Sequence, residues 1–231
     1  MFNVRTLLAS AFAVTISLAL QVSHGADTPS APYSFKAISS AKTTPDSQGF
    51  IPRWLILEPI NIGNQQTENA SKAAAHADYF ADQLTVVPHD GDKVSVKGKE
   101  LAWHAVETAN YNVNLYYFAT AHKTTSANAL FWAVTVINCP EEIPNVRLAV
   151  GSNASSIWWV NDQEVVGIYG DIQTVIDDGV SPRLTLKKGP NIVRGAIING
   201  SGASDFCARF LDKNDKPLKD FTVSLEKAGS Q

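Results

Sequence analysis

The chain is poor in several kinds of residue and motif. Of its 231 residues two are cysteine and one is methionine. No Cys-x-x-Cys and no closely spaced His pair accompanies the cysteines, so the sequence spells no zinc ribbon or finger. Lys and Arg number 19 against 22 Asp and Glu, and no basic stripe gathers them, which argues against a nucleic-acid partner. After residue 25 there is no apolar run of spanning length, so no membrane span is expected in the mature chain. No internal repeat is visible. Catalytic signatures are missing as well: there is neither a Gly-x-Ser-x-Gly elbow nor a Gly-Asp-Ser-Leu block.

The opening stretch "MFNVRTLLASAFAVTISLALQVSHGAD" has a different character. Arg5 gives a basic start, Leu7 to Leu20 an apolar core, and the small residues around Gly25 and Ala26 a cleavage site. This pattern predicts a signal peptide over 1–25 and a secreted or periplasmic protein. Residues 26–49 are rich in Ser, Thr, Pro and Ala without periodicity and read as a flexible lead-in. A single domain is expected over 50–227.

Within that domain one stretch has helical periodicity. In "TENASKAAAHADYFADQL" the residues Ala70, Ala73, Ala74, Ala77, Phe80 and Leu84 recur at helical spacing, and Thr67 can cap the N-terminus. A short helix is predicted near 67–84. The rest alternates or runs apolar in short pieces: "KVSVKG", "LAWHAVE", "NVNLYYFA", "NALFWAVTVIN", "NVRLAVG", "SIWWVNDQEVVGIY", "RLTLKKG", "NIVRGAIING", "DFCARFLD" and "FTVSL". Turn signals separate them. Short strands in such a series predict an all-β, antiparallel jelly-roll sandwich.

Several segments together carry a family resemblance. "RWLILEPI" resembles an opening "W-x-V-L-G-P-F" strand. "LAVGSNASSIWWVNDQEVVG" resembles "L-x-x-G-S-D-D-x-x-x-V-W-L-N-G-x-x-V". "LTLKKGPNIVRGAI" resembles "L-x-L-K-x-G-x-N-x-L-L-V-K-V", and "FCARFLDKNDKPLKDFTVSL" a closing "F-x-x-R-F-x-D-x-x-G-x-P-L-x-D-L-x-V-S-L". These motifs are similar to those of the galactose-binding-domain-like jelly rolls, the non-catalytic modules attached to secreted bacterial acetylxylan esterases and family 2 glycoside hydrolases. The resemblance covers nearly all of residues 50–225. It implies weak binding of a polysaccharide or glycan. Two alternatives come with it: a carbohydrate esterase or hydrolase, and a structural module docking on a separate secreted enzyme or envelope component. Two positions depart from the pattern. Asn161-Asp162 replaces the usual Asn-Gly turn, and Asn153-Ala154 replaces a paired Asp that in relatives can contribute to a polar or calcium site.

Candidate site residues follow from strand alternation. In "SIWWVND", Trp158 shares a face with Val160, which the resemblance aligns with core positions. Trp159 shares the other face with Ile157, where it either stacks on a sugar ring or lies beneath a loop or the 67–84 helix. Tyr169, at a strand end, and Tyr116 or Tyr117, which a strand would point to opposite faces, complete the carbohydrate-binding candidates. In "GIYGDIQTVIDDGV", Asp171, Asp177 and Asp178 are candidates for a structural calcium, the one cofactor considered. Cys139 and Cys207 are the candidate disulfide, which would tie a central strand to the penultimate one. A Ser201–His122–Asp205 triad is the arrangement a hydrolase would need, though no motif specifies it.

Overall fold

The computed structural model describes residues 35–38, 40–64, 67–153, 155–170 and 173–226. The expected signal peptide lies outside the described residues. In chain order the elements are β1 (Phe35–Lys36), β2 (Lys42–Thr43), β3 (Arg53–Leu57), β4 (Ile60–Asn61), α1 (Glu68–Ala75), β5 (Lys93–Val96), β6 (Lys99–Thr108), β7 (Val113–Asn114), α2 (Leu115–Ala121), β8 (Ala129–Cys139), β9 (Ile143–Ser152), β10 (Ser155–Val160), β11 (Gln163–Ile168), β12 (Gly179–Val180), β13 (Leu184–Leu186), β14 (Gly189–Asn199), β15 (Asp205–Leu211) and β16 (Thr222–Ser224).

These strands make two antiparallel sheets. The larger runs β1-β6-β3-β8-β14-β10-β11, with β4 and β16 paired to β8, β5 to β6 and β2 to β16. The smaller runs β12-β9-β15-β7, with β13 on β9. Trp54, Ile56, Phe131, Trp158 and Val193 of the large sheet share a buried cluster with Leu148, Val150, Phe206 and Phe210 of the small one. The opposite face of the large sheet carries Leu55, Trp103, Trp132, Ile157 and Trp159, and Ala74 and Ala75 of α1 close over it. The expected β-sandwich is therefore present, with a third layer over the larger sheet. Because both its faces are covered, β8 is apolar except at Thr135 and Asn138 and is buried along nearly its whole length.

Local chemistry sets the turns and caps. Asn161 and Asp162 have φ of 50° and 67°, so they make the left-handed two-residue turn that joins β10 to β11. Thr67 accepts a hydrogen bond from the Ala70 amide at 3.2 Å and starts α1, as its sequence position predicts. The helix is shorter than expected and ends at Ala75. Phe80 and Leu84 still pack on the outer cluster, but from turns.

Two further expectations are corrected. "NVNLYYFA" is a strand only at Val113–Asn114: residues 115–121 form α2, a second helix. Asn114 caps it by accepting from the Tyr117 amide at 2.9 Å, and its buried residues Leu115, Phe118 and Ala119 fall at helical i, i+3, i+4 spacing. The 26–49 lead-in contributes β1, paired to β6, and β2, paired to β16. Asp46 helps order it by accepting from the Gln48 and Phe50 amides.

The cysteines do not pair. Both are buried free thiols. Cys139 points into the inter-sheet cluster, as do Phe206 and Ala208 on β15. Cys207 lies between those two and so faces the other side of the small sheet. A Cβ added at Gly151 would sit 2.0 Å from the Val175 carbonyl oxygen and 3.1 Å from Cys207 Sγ, which places that sulfur beneath the 173–177 loop. Burial pushes the Cys139 thiol up to about 11. Burial, with Asp177 and Asp205, pushes Cys207 up to about 12. Neither is a reactive thiolate at neutral pH.

Candidate functional site

The four aromatic candidates do not form one surface. Trp159 is only 4% exposed, so it offers no open platform. Its indole lies 5.7 Å from that of Trp132 and 6.0 Å, edge-on, from the His76 ring at the end of α1. Of the two alternatives for its face, burial under the helix holds. Tyr169 is half-buried on the same outer cluster, with Lys72 Nζ 4.8 Å above its ring. Tyr116 and Tyr117 are elsewhere, on α2.

One polar latch holds α1 over Trp159. His76 Nε2 meets Glu164 Oε2 at 2.7 Å, and Nδ1 lies 2.6 Å from the Lys72 carbonyl oxygen. These contacts, the backbone one first, raise the pKa of His76 above its usual 6.5. A raised folded-state value means stabilisation that is complete below the ordinary pKa and lost as pH rises through the folded one. We therefore expect α1 to open more readily at about pH 9 than at about pH 5.5. Opening free energies from hydrogen exchange of the α1 amides test this, and His76→Gln should abolish the dependence. Equal opening in the parent at both pH values would refute it.

The exposed aromatic ground lies along the β7 edge of the small sheet. Among the described residues the large aromatics counted as exposed are Tyr111, at 39%, and Tyr116, at 49%. Residues 110–117 carry both because β7 pairs with β15 and α2 follows directly, its Tyr116 amide donating to the Ser204 carbonyl at 3.1 Å. The Tyr111 ring leans on Phe50, with centroids 5.5 Å apart. Phe50 in turn lies 4.7 Å below the Arg209 guanidinium. Tyr117 stands edge-on to Tyr116 at 5.7 Å. On the paired strand β15, Asp205 stands opposite Asn114 and accepts from Asn112 Nδ2 and from the Thr174 hydroxyl, which fixes the neighbouring loop. Val175 and Ile176 follow on that loop, both exposed. Sequence reasoning missed Tyr111 because it sits among asparagines in a bend, where no periodicity marks a face.

Of the three calcium candidates the structure describes two. Asp171 lies outside the described residues. Asp177 is engaged by Arg209, whose Nε donates to its Oδ1 at 2.9 Å, and Asp178 points to solvent. Of the triad residues, Asp205 is taken as above, Ser201 is exposed, and the His122 ring stacks on His104. Burial, followed by the nearness of His104, lowers the pKa of His122.

No protein-family model matches the chain, and no curated protein matches it. Among solved structures it is similar to a PA14 sugar-binding domain from an RTX adhesin, at 14% identity and a TM-score of 0.40, over 74% of this chain and 96% of that one. It is also similar to a β-glucosidase from Kluyveromyces marxianus in complex with glucose, at 19% identity and a TM-score of 0.35. That match covers 72% of this chain but 16% of the enzyme. Both likenesses are distant.

Proposed function

We propose that this is a secreted, non-catalytic jelly-roll module of the galactose-binding-like kind that holds a polysaccharide or glycan weakly. The observation that carries the reading is the tyrosine edge. Two exposed rings, Tyr111 and Tyr116, flank Asn112 and β7 in sequence, and Asn112 belongs to an Asn–Asp–Thr hydrogen-bonded corner fixed by the pairing of β7 with β15. Pyranose C–H groups stack on such rings, and flanking amides and carboxylates bond the hydroxyls.

Tyr111→Ala and Tyr116→Ala should each weaken binding roughly two- to tenfold, the worth of one stacked ring. Melting should stay nearly unchanged, since exposed side chains contribute about 0.5 kcal/mol or less. Affinity electrophoresis in soluble xylan, galactan and glucan reads the first, thermal melting the second. Retention of the parent on no polysaccharide, or undiminished retention of both variants, defeats the reading.

Exposed Val175, Ile176 and Val180 favour a second reading, a face that docks on a separate secreted protein. Ile176→Asp would then abolish co-purification of that protein while leaving polysaccharide retention intact.

A further inference from the structure

A second cluster gathers where β3, β6 and α2 meet. Period two puts Glu58, just beyond β3, on the inward side with Trp54 and Ile56. His104 stands opposite Ile56 in the β3–β6 ladder, on that same side. Helical spacing brings the third residue: His122 follows Phe118 by four and caps α2. Phe118 backs both imidazoles, with centroids 5.8 Å from His104 and 4.7 Å from His122.

The donor atoms converge. His104 Nε2 is 3.4 Å from Glu58 Oε1, and the two imidazoles face each other at 3.7 Å between centroids, inclined by 29°. One ligand atom from each of Glu58, His104 and His122 lies within 4.8 Å of the other two. Among the described residues this is the one such group of three. All three side chains are half-buried, neither sealed from ions nor fully hydrated. The other Glu58 oxygen accepts from the Ala102 amide at 3.2 Å, which fixes the carboxylate as outer-shell partners do at metal sites. Asp90, held by the Ala105 amide at 2.8 Å, adds negative charge nearby.

We propose that Glu58, His104 and His122 form a two-histidine, one-carboxylate site for a divalent transition metal, zinc above all. Imidazole nitrogen selects borderline ions over calcium or magnesium, which want oxygen. Bonds of about 2.0–2.2 Å in a tetrahedral shell put donor atoms roughly 3.3–3.5 Å apart. The Glu58–His104 pair already has that separation. Closure falls on His122, whose ring must turn out of its stack on His104 to bring a nitrogen lone pair onto the same ion, and which sits at the end of α2. A fourth position is left for water. The ion would join α2 to the large sheet.

Cobalt is the probe. Protein stripped with a chelator and titrated with Co²⁺ should take up one equivalent and show ligand-field absorption that Zn²⁺ displaces. Zn²⁺ a hundredfold above its Kd should raise the melting temperature by about 5–10 °C. Glu58→Gln and His122→Gln should each weaken Co²⁺ binding about tenfold or more while melting in chelator as the parent does. If His122→Gln melts early, Glu58→Gln decides, since glutamine keeps the volume and can still accept from Ala102. His76→Gln and His89→Gln remove the other histidines that meet carboxylates and should bind as the parent does. No stoichiometric uptake by the parent overturns the proposal. So does uptake that survives Glu58→Gln, or that falls with His76→Gln or His89→Gln.

Discussion

Trp158→Ala is expected to cost about 3–5 kcal/mol, read as a lowered urea midpoint at unchanged slope. The indole is fully buried between the sheets. It meets Trp54 at 5.8 Å and Phe206 at 5.4 Å, and those two meet each other at 5.1 Å. Its Nε1 donates to Ser156 Oγ at 2.9 Å, so truncation also strips a buried hydroxyl of a partner. Across the ladder stands Gly195, where a Cβ would fall 2.6 Å from the ring. Two sheets paired on both sides of the gap cannot close over it, so the cavity should persist. Trp159→Ala should also lower the midpoint, because that ring is buried too, but α1 can settle into the space and the loss should be smaller. A cost under about 1 kcal/mol for Trp158→Ala would mean that the cluster does not hold the sheets together.

The second large effect concerns a buried ion pair. Arg53 has a side chain only 2% exposed and bonds Glu107, directly opposite in the β3–β6 ladder, through Nε at 2.9 Å and through Nη2. Its Nη1 donates to the Ser40 carbonyl at 2.8 Å. Glu107→Leu alone leaves an almost fully buried guanidinium with one neutral protein acceptor, which should cost about 3–5 kcal/mol. Arg53→Met together with Glu107→Leu should recover most of that loss, since neither charge then needs desolvating. Chemical denaturation of the two variants checks the sign. A double variant as unstable as the single would mean that the pair contributes net stability in its own right.

What the sequence shows and what it hides divide along physical lines. Alternation assigned Trp158 and Trp159 to opposite faces, and the Asn161-Asp162 turn and Thr67 cap were legible because each depends on neighbours a few residues away. The cover over Trp159 was not, since it depends on where a separate helix docks. Asn114 and the spacing of Leu115, Phe118 and Ala119 do announce α2, but "NVNLYYFA" also alternates, and only the tertiary fold decides between the periods. The cysteines were paired by count, whereas the face each strand turns inward sets them apart. The histidine cluster is the extreme case. Glu58, His104 and His122 form no motif, and strand register together with one helical turn brings them together.

The pairing of β8 has a bearing on the order of events as the chain is made. On the side away from β14, β3 and β4 pair with its first half and β16 with Val136, Ile137 and Asn138, where the Ser224 oxygen receives the Asn138 amide from 86 residues upstream. A chain emerging from its N-terminus therefore carries the 136–138 end of β8 open on that side until β16 has appeared. During that interval this end of β8 has unpaired backbone beside apolar side chains, a template for another extended chain. Closure of this part of the large sheet thereby waits for β16, whichever strands have paired before it.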